Sequence, residues 1–143
     1  MGGQIMEMMI GVLFAAVIIV GLLLMVMMGM GRKSNKKLDK EQYKKDWDAI
    51  MASINSENQT QQFAIIQADK LLDKALKESG FAGATMAERM TSASRVFSQR
   101  EAVWTAHKLR NRIAHESHGK INPQWVKKAL SSFKRALKDL GAL

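Results

Sequence analysis

The residues best suited to chemistry in this chain lie together in the segment HKLRNRIAHE, residues 107–116. Two of the three His in the sequence, two Arg and one Asn fall within these ten positions. His titrates near neutral pH, and the planar Arg guanidinium donates paired hydrogen bonds to phosphate oxygens. The segment therefore indicates either a site built around phosphate or a solvated helix end.

The segment is predicted to form the later part of a helix that runs from about Gln99 to the neighbourhood of His115. An ideal helix turns about 100° per residue, which gives this helix three faces. One is apolar and faces a core, and one is polar and faces solvent. The third face mixes large apolar groups with polar ones and consists of Val103, Trp104, His107, Arg110, Asn111, Ala114 and His115.

Two interpretations of this third face remain open. A twofold partner could cover its apolar part and bring two polar clusters together, so Val103 and Trp104 are predicted to form a dimer interface. Alternatively, Trp104 packs inside, because a helix of a bundle contacts two neighbours. The sequence favours neither interpretation over the other.

The beginning of the chain has a different character. Residues 8–31 contain no charge and would span roughly 36 Å as a helix, which is enough to cross a bilayer. The alternative interpretation is a secretory signal, but the stretch is too long for one, lacks a preceding basic residue and has no small-residue cleavage site. We expect an uncleaved anchor over residues 1–31, in contact with the lipid bilayer through residues 8–31.

Charge indicates the orientation of this anchor and the kind of partner. The segment 32–40, predicted to be a basic juxtamembrane linker, places the bulk of the chain in the cytoplasm and the amino terminus outside, at the cell (inner) membrane. All 22 Lys and Arg but only 12 of the 13 acidic residues follow residue 31, so that part carries a formal charge of +10. Such a surface attracts nucleic acid or anionic lipid headgroups.

Residues 41–143 are predicted to form a small bundle of four principal helices, so the fold class is all-α with a single transmembrane helix in front. Apolar residues recur at three- and four-residue steps, and one Pro and no Cys are present. Helices are expected over about 38–55, 58–79 and 99–115, and from Pro123 to before Gly141, with capping boxes at Thr85/Glu88 and Ser98/Glu101.

Arg110, Asn111 and His115 match the pattern of an Arg, a polar residue, three further residues and a His that marks the HEPN (higher eukaryotes and prokaryotes nucleotide-binding) superfamily. The segments AIIQADKLLDKAL and VWTAHKLRNRIAHE also resemble helices of its small bacterial members, so the resemblance covers roughly residues 40–140. It implies a helical bundle, and many members are metal-independent ribonucleases with active clefts at dimer interfaces. The membrane anchor departs from the soluble members of the superfamily.

Cleavage of RNA through the 2′-hydroxyl needs a base, an acid and cationic donors. His115 suits proton transfer, Arg110 suits the phosphate, and Asn111 could orient the imidazole or hold substrate, so these three are the predicted catalytic residues. Because Arg110 and His115 lie about 140° apart on an ideal helix, either the helix ends early or a second subunit completes the site. The resemblance implies a homodimer.

The supporting predictions are nucleic-acid contacts by His107, Lys108 and Arg112, no metal and no cofactor. The favoured function is a membrane-anchored, HEPN-like, metal-independent ribonuclease that acts on RNA at the cytoplasmic face. The alternative is a non-catalytic helical module that binds nucleotides or proteins in a membrane complex. In that case the residues of the motif would serve the fold alone.

Overall fold

The computed structural model describes residues 2–29, 37–55, 57–115 and 119–143, and this part of the chain is helical without a strand. It divides into two units, residues 1–32 and residues 33–143. The predicted fold class is confirmed: four principal helices and one short helix follow an apolar amino-terminal helix. The helices are α1 Gly2–Gly29, α2 Lys40–Ala52, α3 Asn58–Glu78, α4 Met86–Ser92, α5 Arg100–His115 and α6 Pro123–Asp139.

Helix α1 is a candidate membrane span by its length and composition. Its segment Gly2–Met25 is apolar apart from Glu7 and Gln4, and every side chain described in it is exposed. Apolar side chains exposed on all sides are unfavourable in water and suit a lipid environment. Residues 32–36, the larger part of the predicted basic linker, lie outside the described residues, and Lys40 at its end is already the first residue of α2.

The helix ends follow local capping signals. The side chains of Asp39, Thr85 and Asn122 each accept a hydrogen bond from a backbone N–H in the first turn of α2, α4 and α6. Gly80 and Gly141, both with positive φ, follow the last residues of α3 and α6. There the paired backbone hydrogen bonds of a Schellman motif satisfy the last carbonyl groups.

One expected cap is absent, because Ser98 does not form the predicted capping box with Glu101. Its backbone N–H and its Oγ both donate to Asp139 Oδ2 at 2.8 Å, and Arg135 Nε donates to the Oγ at 2.9 Å. Ser98 therefore joins the start of α5 to the end of α6. A contact between residues so far apart in the chain outweighs the local pattern.

Helix α3 is the centre of the bundle and packs against α2, α4, α5 and α6, while α5 also packs against α6. Its apolar face is almost completely buried, as expected for a helix with neighbours on several sides. Tyr43 of α2 donates a hydrogen bond from its hydroxyl to Glu78 Oε2 at 2.8 Å, which fastens α2 to the end of α3. Burial, the hydrogen bond to Glu78 and nearby negative charge all raise the pKa of Tyr43.

A partly buried ion pair joins α3 to α4. Arg89 donates from Nε to Asp73 Oδ1 at 2.8 Å and from Nη1 to the carbonyl oxygen of Gly83 at 2.6 Å, and its Nη2 lies 2.7 Å from Asp73 Oδ1 in an ion pair. Burial favours the neutral form of Asp73, but hydrogen bonds and positive charge from Lys77 and Arg89 outweigh it and lower the pKa of that carboxyl. Arg89 is therefore held on three sides inside the protein.

Candidate functional site on helix α5

The predicted site is built on a buried carboxylate that belongs to α3. Asp69 is 3% exposed and lies within the apolar face of that helix, opposite α5. Its Oδ1 is 2.8 Å from Nδ1 of His107, which is 7% exposed. A buried carboxylate is costly without partners, and the imidazole of His107 satisfies one of its oxygens.

Asn111 extends this pair toward the surface. Its Nδ2 lies 3.3 Å from His107 Nε2, and its Oδ1 accepts a hydrogen bond from Arg110 Nη1 at 3.0 Å. Because an amide nitrogen can only donate, Nε2 must be the acceptor and His107 carries its proton on Nδ1, facing Asp69. The hydrogen bonds therefore run in one direction, from Arg110 through Asn111 and His107 to Asp69. We call these four residues the Asp69 network.

The contact between Arg110 and Asp69 is an ion pair without a well-formed hydrogen bond. The Nε of Arg110 lies 3.2 Å from Asp69 Oδ2, close enough for an ion pair, yet this buried nitrogen makes no hydrogen bond with acceptable geometry among the described residues. The side chain remains 29% exposed. The network thus holds a guanidinium at the surface in a fixed position, with one side against a carboxylate and another side accessible.

His115 is exposed in the last turn of α5 and outside the Asp69 network. On an ideal helix it lies about 40° from Asn111 and about 140° from Arg110. The helix continues to His115, so an early helix end does not bring the two predicted catalytic side chains together within one chain. His118, the third His of the sequence, lies outside the described residues.

The remaining predicted residues separate into two groups. Val103 is 1% exposed, so the core of the bundle covers this side chain, which offers no surface to a dimer partner. Trp104 is partly buried and meets the His107 ring edge-on, with 6.1 Å between ring centroids. His107 itself is enclosed by the network and the core, so it positions other side chains and presents little surface to nucleic acid.

Lys108 and Arg112, unlike the buried Val103 and His107, are exposed, and they lie on the side of α5 that faces α6. Their predicted contacts with nucleic acid remain predictions. In the part of the chain that the structure describes, no three His, Cys, Asp or Glu side chains cluster closely enough to hold a metal ion.

Asp69 is the site residue that the sequence analysis did not single out. It lies in the segment AIIQADKLLDKAL, where an acidic residue interrupts an otherwise apolar helical face. A carboxylate at a core position requires a partner. The signal that could have found it is the coincidence of this position with a second helix that carries His and Arg three residues apart.

Comparison with known proteins provides no relative for this chain. No protein-family model matches it, and neither a curated protein nor a solved structure shows significant similarity. The resemblance of the Arg110–His115 segment to the HEPN motif therefore rests on the residues of that segment and on the helical bundle around them.

Proposed function

We propose that this protein is a membrane-anchored, HEPN-like, metal-independent ribonuclease that acts on RNA at the cytoplasmic face of the cell membrane. The observation that carries the proposal is the direction of hydrogen bonding in the Asp69 network. Buried groups support the Arg110 guanidinium and orient the Asn111 amide, and a titratable His115 is exposed one turn after Asn111. Preorganised donors of this kind stabilise charge that develops on a phosphate.

The proposed chemistry is attack of a ribose 2′-hydroxyl on the adjacent phosphorus. His115 takes the hydroxyl proton, the new oxygen–phosphorus bond forms, and the bond to the 5′-oxygen of the next nucleotide breaks. A general acid protonates that leaving oxygen, and Arg110 stabilises the negative charge on the phosphate. The products are a 2′,3′-cyclic phosphate and a free 5′-hydroxyl, so the reaction consumes no water in this step.

A second copy of the chain completes the site in this proposal. Arg110 and His115 point to different sides of α5, whereas two twofold-related helices can bring Arg110 of one copy near His115 of the other. The partly exposed edge of Trp104 would lie at the contact. The proposed localisation follows from α1 and from the basic residues after it, which favour the cytoplasmic side.

The decisive experiment uses the full chain in an uncharged detergent with 5′-labelled single-stranded RNA. We expect cleavage that a chelator leaves unchanged and products that end in a cyclic phosphate. His115→Ala should reduce cleavage by about 10²-fold or more with little change in RNA binding. His118→Ala is the matched control, because it removes an imidazole three residues later in the sequence and outside the motif. Equal activity of His115→Ala and the wild type would contradict the proposal.

Coexpression of Arg110→Ala and His115→Ala chains tests whether two copies share the site. Each variant alone should be inactive, while a mixed dimer contains one site with both residues intact. Cleavage by the mixture would support a shared site. A mixture as inactive as its components, in a sample whose sedimentation shows mixed dimers, would contradict it.

One observation favours the alternative, a non-catalytic module of a membrane complex that binds nucleotides or proteins. Asp69 lies 3.2 Å from the Arg110 guanidinium and offsets its charge, as it would if the network served only to fasten α5 to α3. In that case Arg110→Ala would destabilise the bundle, and the wild type would show no cleavage of RNA.

A further inference from the structure

A groove of about 830 Å³ lies between α5 and α6, and none of its lining residues belongs to the Asp69 network. Its apolar lining is made of small or aliphatic side chains, Ala102, Ala106, Leu109 and Ala129. Cationic side chains line it as well: Lys108 and Arg112 from α5 and Lys128 from α6, against Glu101 as the one acidic residue. The groove therefore combines apolar surface with positive charge.

Trp125 lines the groove in the first turn of α6. Trp125 is 49% exposed, unlike Trp47, which is 3% exposed in the core. The guanidinium carbon of Arg112 lies 5.0 Å from the Trp125 ring centroid, within the range of a cation–π contact. The guanidinium lies over the ring, so the exposed part of the ring and the guanidinium together form an aromatic platform suited to a flat ligand that carries negative charge.

We propose that this groove binds single-stranded nucleic acid, with a base stacked at Trp125 and the backbone phosphates held by Lys108, Arg112 and Lys128. Aromatic stacking combined with a positively charged groove is the general means by which proteins hold single strands without reading sequence. The charge of the lining complements a polyanion, and the aromatic platform provides a surface for bases. The assignment of RNA as the natural strand rests on the proposed function.

One end of the groove lies at the end of α5 that carries His115. On an ideal helix His115 lies about 20° from Lys108 and about 60° from Arg112, whereas Arg110 lies on the far side. Arg112 and Trp125 meet where α5 ends and α6 begins, which is also the end that carries His115. A strand that lies in the groove and passes Trp125 therefore leaves it beside His115, so the groove serves as the approach of the substrate strand.

The first test measures the affinity of the full chain, in an uncharged detergent, for a single-stranded DNA oligonucleotide. DNA lacks the 2′-hydroxyl, so binding is measured without cleavage. Trp125→Ala should weaken binding about tenfold, while Trp125→Phe, which keeps an aromatic face, should stay within about threefold of the wild type. Phe63→Ala is the matched control, because Phe63 is an exposed aromatic outside the groove. Unchanged affinity of Trp125→Ala would overturn the proposal.

A second readout is independent of the folding of the Ala variant. The oligonucleotide should quench part of the tryptophan fluorescence of the wild type, and Trp125→Phe should lose that part while retaining affinity. Lys108→Gln should weaken binding and lower its salt dependence, whereas Lys44→Gln on α2 should change neither beyond a small general effect. Quenching that persists in Trp125→Phe would place the strand elsewhere.

Two further ligands distinguish the occupant. Inorganic polyphosphate, which has charge but no bases, should bind more weakly than the oligonucleotide and should not respond to Trp125→Ala. An acidic amphipathic peptide that binds the groove more tightly than the oligonucleotide would overturn the proposal in favour of a protein partner. Binding of DNA that depends on Trp125, without cleavage of RNA, would support the groove and contradict the proposed ribonuclease. Cleavage of RNA, with no effect of Trp125→Ala on binding, would support the ribonuclease and contradict the groove.

Discussion

Helix α3 carries two aspartates one turn apart, and each holds an arginine from another helix in a different way. Asp73 accepts a hydrogen bond from Arg89 Nε and pairs with its Nη2, and Arg89, which is 6% exposed, donates its remaining Nη1 to Gly83. Asp69 has Arg110 beside it at 3.2 Å without a well-formed hydrogen bond, and Arg110 is 29% exposed. The first pair is complete within the protein, whereas the second leaves a guanidinium with donors for a ligand.

This difference separates a structural arginine from a candidate functional one by local geometry. Both arginines offset the charge of a carboxylate on α3. Only Arg110 is also linked, through Asn111 and His107, to a set of groups that fixes its direction. Loss of Arg89 should therefore lower stability more than loss of Arg110 does, whereas loss of Arg110 should weaken RNA binding more than loss of Arg89 does.

The largest effect on stability should come from Arg89→Ala. Removal of the guanidinium leaves the Asp73 carboxylate partly buried with Lys77 as its remaining partner, and loss of one member of a buried pair typically costs about 3–5 kcal/mol. Urea unfolding of the full chain in detergent, followed by circular dichroism at 222 nm, measures the change. A decrease in the free energy of unfolding below about 1 kcal/mol would contradict the claim that Arg89 contributes more to stability than Arg110.

Asp69→Asn should have an intermediate effect of about 1–3 kcal/mol on stability, because the variant keeps the shape but weakens two charge-assisted contacts. It also removes the charge that offsets Arg110. RNA binding by the folded variant should therefore be equal to or tighter than that of the wild type, which filter binding measures. Asp73→Asn is the matched control, and it should affect stability alone.

Arg110→Ala should cost about 1 kcal/mol or less in stability, since its pair with Asp69 is partly exposed and poorly aligned. The same variant should bind RNA several-fold more weakly and cleave it far more slowly. Thermal unfolding and filter binding on one preparation measure both quantities. A large loss of stability with unchanged RNA binding would show that the two arginines play the same structural role.

The smallest effect concerns pH. The pKa of Asp73 is lowered in the folded protein, so this group contributes stability that is fully present above its unfolded pKa, near 3.9. That contribution is lost as the pH falls below about 4 and through the folded pKa. Asp73→Asn should flatten this part of the curve of unfolding free energy against pH. An unchanged acid limb in the variant would contradict the lowered pKa.

The sequence predicted the helices well because their signals are local. Asn122 with Pro123 marks the start of α6, and glycines mark the ends of α3 and α6, as observed. The prediction for Ser98 was wrong because its partner, Asp139, lies 41 residues away. Local spacing contains no information about such a contact.

The face of α5 that carries the site was predicted less completely. Its buried residues span an arc of about 160° because α5 packs against both α3 and α6, so Val103 and His107 lie inside rather than on a free face. A narrow apolar stripe in the sequence underestimates the buried arc when polar side chains such as His107 have buried partners. Asp69 could be recognised as that partner only once α3 and α5 were placed side by side.

The central position of α3 also determines how the bundle opens. Among the described helices, α2 packs its backbone closely against α3 alone, whereas α5 and α6 pack against α3 and against each other. Helix α2 meets α6 through side chains such as Trp47 and Lys134 only. We therefore expect α2 to detach without separating the other three helices, and its amide hydrogens should exchange with solvent through this partial opening. The amides in the middle of α3 should exchange only when the whole domain unfolds, which makes α3 the last element to lose protection.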